Sequence, residues 1–79
     1  MMHTAQKKHY RFSIQINQQQ YLKYYQGAAS TVQVYSETGQ LLRFPASRLR
    51  PFLTQTGIKG RFQLTVNADN RFIELKKLA

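Results

Sequence analysis

From Tyr10 to Ile16 the chain alternates strictly: Tyr10, Phe12, Ile14 and Ile16 are apolar, while Arg11, Ser13 and Gln15 are polar. Successive side chains of a β-strand point to opposite faces, so this stretch buries one face cleanly only as a strand. Phe62, Leu64 and Val66, set against Arg61, Gln63 and Thr65, repeat the pattern. Two half-buried strands within 79 residues commit most of the core to sheet. The chain has no cysteine, so disulfides, thiolate chemistry and cysteine-based zinc sites are excluded. Stability must come from the apolar core or from a partner's surface. The 42% hydrophobic content, with ten Phe and Tyr residues, is enough for such a core.

The remaining elements follow from turn and cap residues. Asn17 is placed as a helix N-cap and Gly27 as the residue just past the C-terminus. Between them Tyr21, Leu22 and Tyr25 share one face, which predicts a short helix over about 18–26 that needs tertiary packing. Thr31 to Tyr35 and Leu41 to Phe44 read as a hairpin around Glu37-Thr38-Gly39-Gln40. Pro45 opens a helical turn through Ala46-Ser47-Arg48-Leu49, and Pro51 ends it. Gly57 and Gly60 are expected to bracket a tight turn before the Phe62 strand. Ala68-Asp69-Asn70 turns the chain into a last strand, with Ile73 and Leu75 as its core pair. The expected fold is α+β and mainly β. About five short antiparallel strands form a bent sheet or small, partly open barrel, with one helix after the first strand. Gln15 to Val32 is long enough for a crossover, which also allows the first two strands to be parallel neighbours. Residues 1–8 read as a flexible tail and 9–79 as a single domain.

Catalytic chemistry finds little to work with. Glu37, Asp69 and Glu74 are the three carboxylate side chains, two of them in expected turns and one on the outward phase of a strand. His3 and His9 lack helical spacing and a neighbouring acid, which argues against a metal site. Ser13, Ser30, Ser36 and Ser47 stand in no nucleophile-elbow context, and no glycine pattern makes a phosphate loop. We therefore expect a protein that binds rather than catalyses, with no cofactor. The polar start from Met1 to Lys8 and the lack of a long apolar run predict a cytoplasmic protein without a membrane span.

Twelve Lys and Arg against three Asp and Glu give a net charge of +9, which favours polyanionic partners. No acidic residue occurs between Glu37 and Asp69, whereas Arg43, Arg48, Arg50, Lys59 and Arg61 do. These five are the candidate anion-binding set, since guanidinium groups grip phosphate bidentately. The plainer alternative is a scatter of solvated basic faces. Tyr24 and Tyr35 are the candidates for stacking or partner contact, because Tyr21 and Tyr25 are expected under the helix. Two functions stay open: binding of an anionic partner such as RNA or DNA, or protein–protein interaction with an apolar or acidic protein surface through the helix tyrosines or an open strand edge. The charge favours a monomer or weak homodimer.

The run Phe44-Pro45-Ala46-Ser47-Arg48-Leu49-Arg50-Pro51-Phe52, followed by Gly57-Ile58-Lys59-Gly60-Arg61-Phe62, adds a resemblance. Together with Tyr24-Tyr25-Gln26-Gly27, it is similar to a family of small bacterial proteins known as a domain of unknown function. The similarity spans Tyr10 to Leu78. It implies a stand-alone bacterial cytosolic domain and carries over no activity, cofactor or site residue. Barrels that bind cyclic dinucleotides are set aside: the spacing of Arg43, Arg48 and Arg50 differs, and their polar second motif is missing.

Overall fold

The computed structural model describes residues 6–25 and 31–79, and of Tyr24 and Tyr25 only the backbone. Five strands form two antiparallel sheets. β1 (Lys8–Ile16), β4 (Ile58–Val66) and β5 (Phe72–Lys77) make one in the order β1-β4-β5, and β2 (Thr31–Tyr35) pairs with β3 (Leu41–Pro45) in the other. A helix, α1 (Gln18–Tyr25), follows β1, and a 3₁₀ helix (Ala46–Phe52) follows β3. Pro51, expected to end that turn, lies inside it, because a proline ring fits the helical φ and the tighter 3₁₀ turn continues to Phe52. The mainly β architecture read from the sequence is therefore the architecture present. β1 begins at Lys8, one residue inside the expected tail, and the proposed C-terminal helix glycine, Gly27, lies outside the described residues.

The strand alternation does what period two requires. Phe12, Phe62, Leu64 and Val66 are buried on one face of the three-stranded sheet, and Val32, Leu42 and Phe44 are buried on the facing side of the hairpin. The hairpin turn is tied to the edge of β1, where the Glu37 N–H donates to the Arg11 carbonyl at 2.7 Å. β1 and β2 are not ladder neighbours; β1 pairs antiparallel with β4. The parallel alternative is thus corrected, because β4 supplies the longer antiparallel partner. Among the described residues no ladder joins β3 to β5, so the arc of strands stays open. The 3₁₀ helix lies against both strands. Leu49, fully buried, anchors it, an amount of burial that contributes about 1.5–3 kcal/mol.

Local chemistry explains the joints. Asn17 Oδ1 accepts the Gln20 N–H at 2.8 Å while Gln20 Oε1 accepts the Asn17 N–H at 2.9 Å, a reciprocal capping box. Tyr21 is buried and its hydroxyl donates to the Ala46 carbonyl at 3.1 Å, binding α1 to the 3₁₀ helix. Leu22, expected on the same buried face, is 43% exposed, so among the described side chains of this helix Tyr21 is the one seated deeply. In the hairpin turn the buried Ser36 Oγ accepts the N–H groups of Thr38 and Gln40.

Two expectations are revised by geometry. The core pair on β5 is Phe72 with Leu75, and Ile73 is 41% exposed. The register places Thr65 against Glu74 but Val66 against Phe72, so Ile73 is an extra residue in the ladder. Such a bulge resets the alternation, which strict counting by two cannot anticipate. Thr65 is buried although it points to the outward face, because His9 and Glu74 flank it in the ladder. Finally, the tight turn closes at a Thr54–Gly57 bridge, and Gly60 sits inside β4.

Gly57 is required twice over. Its φ is +110°, and a Cβ there would collide with the Ile16 carbonyl and the Asn17 backbone. Gly39 also has a positive φ, +91°, but open space around it. Gly39→Ala is expected to cost about 1–2 kcal/mol of backbone strain, and Gly57→Ala roughly 3 kcal/mol or more because the turn must also move off β1. Chemical denaturation of the two variants checks the order; equal losses would mean that the close approach at Gly57 is unimportant.

Candidate anion-binding face

With Phe12 and Phe62 turned inward, the intervening residues of β1, β4 and β5 form an outward face. Register orders it into rows. Arg11, Gln63 and Lys76 are cross-strand neighbours, as are His9, Thr65 and Glu74. Ser13 lies opposite Arg61, and Gln15 opposite Lys59. Neighbouring strands are about 4.8 Å apart and alternate rows about 7 Å apart, so Arg11, Arg61, Lys59 and Lys76 form a compact basic array. All four are exposed. A depression of about 330 Å³ is lined by Ser13, Ile14, Gln15, Lys59 and Gly60.

Of the five basic residues singled out by the sequence, Lys59 and Arg61 belong to this face. Arg43 projects from the opposite side of the molecule, since Leu42 and Phe44 on the same strand are buried. Arg48 and Arg50 are exposed on the 3₁₀ helix, and the Arg48 guanidinium lies 4.5 Å from the centre of the Phe72 ring, a cation–π contact that ties the helix to β5. Arg11 and Lys76 complete the array although they lie outside the acid-free stretch. The outward phase of Arg11 was legible, but its alignment with Gln63 and Lys76 depends on strand register.

Arg61 is already engaged. Its Nε and Nη2 donate to the two carboxylate oxygens of Glu37 at 2.6 and 2.8 Å. The hairpin thus carries an internal anion onto the basic face. These hydrogen bonds hold the Glu37 carboxyl below its usual range; desolvation opposes them, and the charges of Arg61 and Arg11 add smaller pulls in the same downward direction. The Arg61 guanidinium is shifted up by the same bonds. Both side chains remain about half exposed, at 46% and 43%, so solvent screens the pair and an incoming anion can exchange with the carboxylate.

The other candidates are plainly placed. His9 Nδ1 lies 2.9 Å from Thr65 Oγ1. Asp69 is in the β4–β5 turn, where Asn67 Oδ1 accepts its N–H. Among the described residues no group of three or more His, Cys, Asp or Glu side chains could hold a metal ion, and no helix is long and apolar enough to cross a membrane. Tyr35 is 69% exposed, beside its cross-strand partner Leu41, on the hairpin's outward side. The Tyr24 side chain lies outside what is described.

Because Glu37 has a lowered pKa in the folded chain, its pairing contributes stability above the usual carboxylate range. That contribution disappears as pH falls through the lowered value. Glu37→Gln should therefore melt slightly below the parent at neutral pH and low salt, and together with it at strongly acidic pH or high salt. Melting curves at both pH values check this; a difference that grows on acidification would contradict it.

No curated protein and no solved structure matches the chain. The model of a family described as protein of unknown function, DUF2835, matches residues 8–78, nearly the whole chain, and bears out the resemblance to a domain of unknown function. The chain belongs to the DUF2835 family.

Proposed function

We propose that this protein is a small binding module for an anionic partner, RNA or DNA, which it holds on the outward face of β1, β4 and β5. The observation that carries the reading is the cross-strand row Arg11–Gln63–Lys76, with Arg61 in the next row and Lys59 in the one beyond it. An extended polyanion running across the strands meets charge and hydrogen-bonding amides without any side chain having to leave the core. His9 is the one ring among the described side chains of this face, so phosphate contact dominates over base stacking. Such binding is tolerant of sequence and strongly dependent on salt. The net charge of +9 adds attraction at long range, and a cytoplasmic nucleic acid is the partner this chemistry suits. Glu37 acts as a built-in competitor for Arg61, exchanged for phosphate when the strand arrives.

The test is fluorescence anisotropy with labelled polyuridine and oligothymidine at two salt concentrations. Arg11→Glu with Lys76→Glu should weaken binding roughly tenfold and reduce the salt slope by about 0.7 for each phosphate that is no longer neutralised. Lys23→Glu with Arg43→Glu changes net charge equally but off the face, and should act far less. Equal losses in the two double variants would show that bulk charge, and not this face, is responsible. Absence of binding by the parent at low salt would end the nucleic-acid reading.

A further inference from the structure

On the opposite side of the molecule, β3 is a strand with only one neighbour. The Ser36 N–H donates to the Gln40 carbonyl at 2.8 Å, which fixes the phase of the β2–β3 ladder. Bonded and non-bonded pairs alternate along an antiparallel ladder, so Val34–Leu42 and Val32–Phe44 are bonded pairs. The N–H and C=O groups of Leu41 and Arg43 therefore point away from β2, along the open edge of β3. No hydrogen bond to these groups is present among the described residues. The edge has a defined end: Pro45 lacks an N–H, and the 3₁₀ helix begins directly after it.

Beside this edge runs a groove of about 570 Å³. Its apolar walls come from Tyr10, Leu42, Leu64 and Val66, and Arg43 and Asn70 stand on its rim. No acidic residue lines it. Free backbone groups supply register, an apolar floor takes every second side chain, and a cation lies level with the alternate ones. That combination specifies its occupant. We propose that the β3 edge takes up an extended peptide segment of a partner protein by strand addition, with apolar side chains turned into the groove and an acidic one beside Arg43. Cross-strand pairs of opposite charge favour a segment that alternates apolar and acidic residues. The bound segment is short, since Leu41 and Arg43 are the two residues that offer both backbone groups. This site is independent of the basic face, because Arg43 and the Arg11–Gln63–Lys76 row project from opposite sides of the molecule.

The experiment titrates three capped peptides into isotope-labelled protein: one alternating Val and Glu, one alternating Val and Lys, and one with the Val and Glu residues segregated into two blocks. The alternating Val/Glu peptide is expected to bind best and to introduce protection from hydrogen exchange at the Leu41 and Arg43 amides that the free protein lacks. In Arg43→Glu, an exposed position whose fold is checked by its melting curve, the order of the Val/Glu and Val/Lys peptides should reverse. Equal binding of the block and alternating peptides, or unchanged exchange at Leu41 and Arg43, would overturn strand addition. Displacement of the peptide by polyuridine would overturn the separation of the two surfaces, whereas loss of oligonucleotide binding in the Arg11/Lys76 variant alone would uphold it.

Discussion

Four phenylalanine rings from four different elements hold this molecule together. Phe12 of β1 stacks on Phe62 of β4 and leans against Phe44 of β3, each at 5.7 Å, while Phe62 meets Phe52 of the 3₁₀ helix edge-on at 5.1 Å. Each such pair adds about 0.5–1.5 kcal/mol beyond the area it buries. Their larger effect is on direction. Once Phe12 and Phe62 are inside, period two sends Arg11 and Arg61 outward; once Phe44 is inside, Arg43 must leave on the other side. The aromatic cluster thereby sorts the charge. A chain with a net charge of +9 folds against its own repulsion, and spreading cations over two opposed surfaces keeps that repulsion small.

The Glu37–Arg61 pair is the point where this sorting is partly undone. The hairpin turn is pinned to β1 by the Glu37 backbone and carries the carboxylate to a guanidinium on the neighbouring sheet. As an exposed ion pair it adds little to stability. Its consequence is positional: the one acid that reaches this cation comes from the element whose N–H is fastened to the same face. Docking of the hairpin and the charge of the sheet are therefore coupled through a single residue.

What could be read in the sequence follows the range of the interaction involved. The inward phases of β1 and β4, the Asn17 cap, the hairpin turn and the start of the helical segment at Pro45 depend on residues close in the chain, and all were legible. The end of that segment was not, since the 3₁₀ helix runs through Pro51 to Phe52. The bulge at Ile73 was not, because an extra residue in a ladder is visible only against its partner strand. The same reason explains the basic face. Arg43, Arg48, Arg50, Lys59 and Arg61 are neighbours in sequence, yet Lys59 and Arg61 find their companions in Arg11 and Lys76, which lie some fifty residues before and fifteen after them. Linear clustering marked the charge but could not assign it to surfaces. The buried role of Ser36 was likewise hidden, since a serine that organises a turn looks like any other until the N–H groups converge on it.

The unpaired edge of β3 also bears on how the protein behaves among copies of itself. An exposed strand edge is a template for endless pairing, and nothing in backbone chemistry distinguishes a partner from a sibling. Two guards are visible here. Pro45 interrupts the row of donors, and Arg43 would confront another Arg43 when two such edges meet near the middle of the strand. The first guard is permanent, whereas the second is electrostatic and weakens as salt screens it. Crowding at high ionic strength is therefore the condition under which this small basic protein is least protected from assembling with itself.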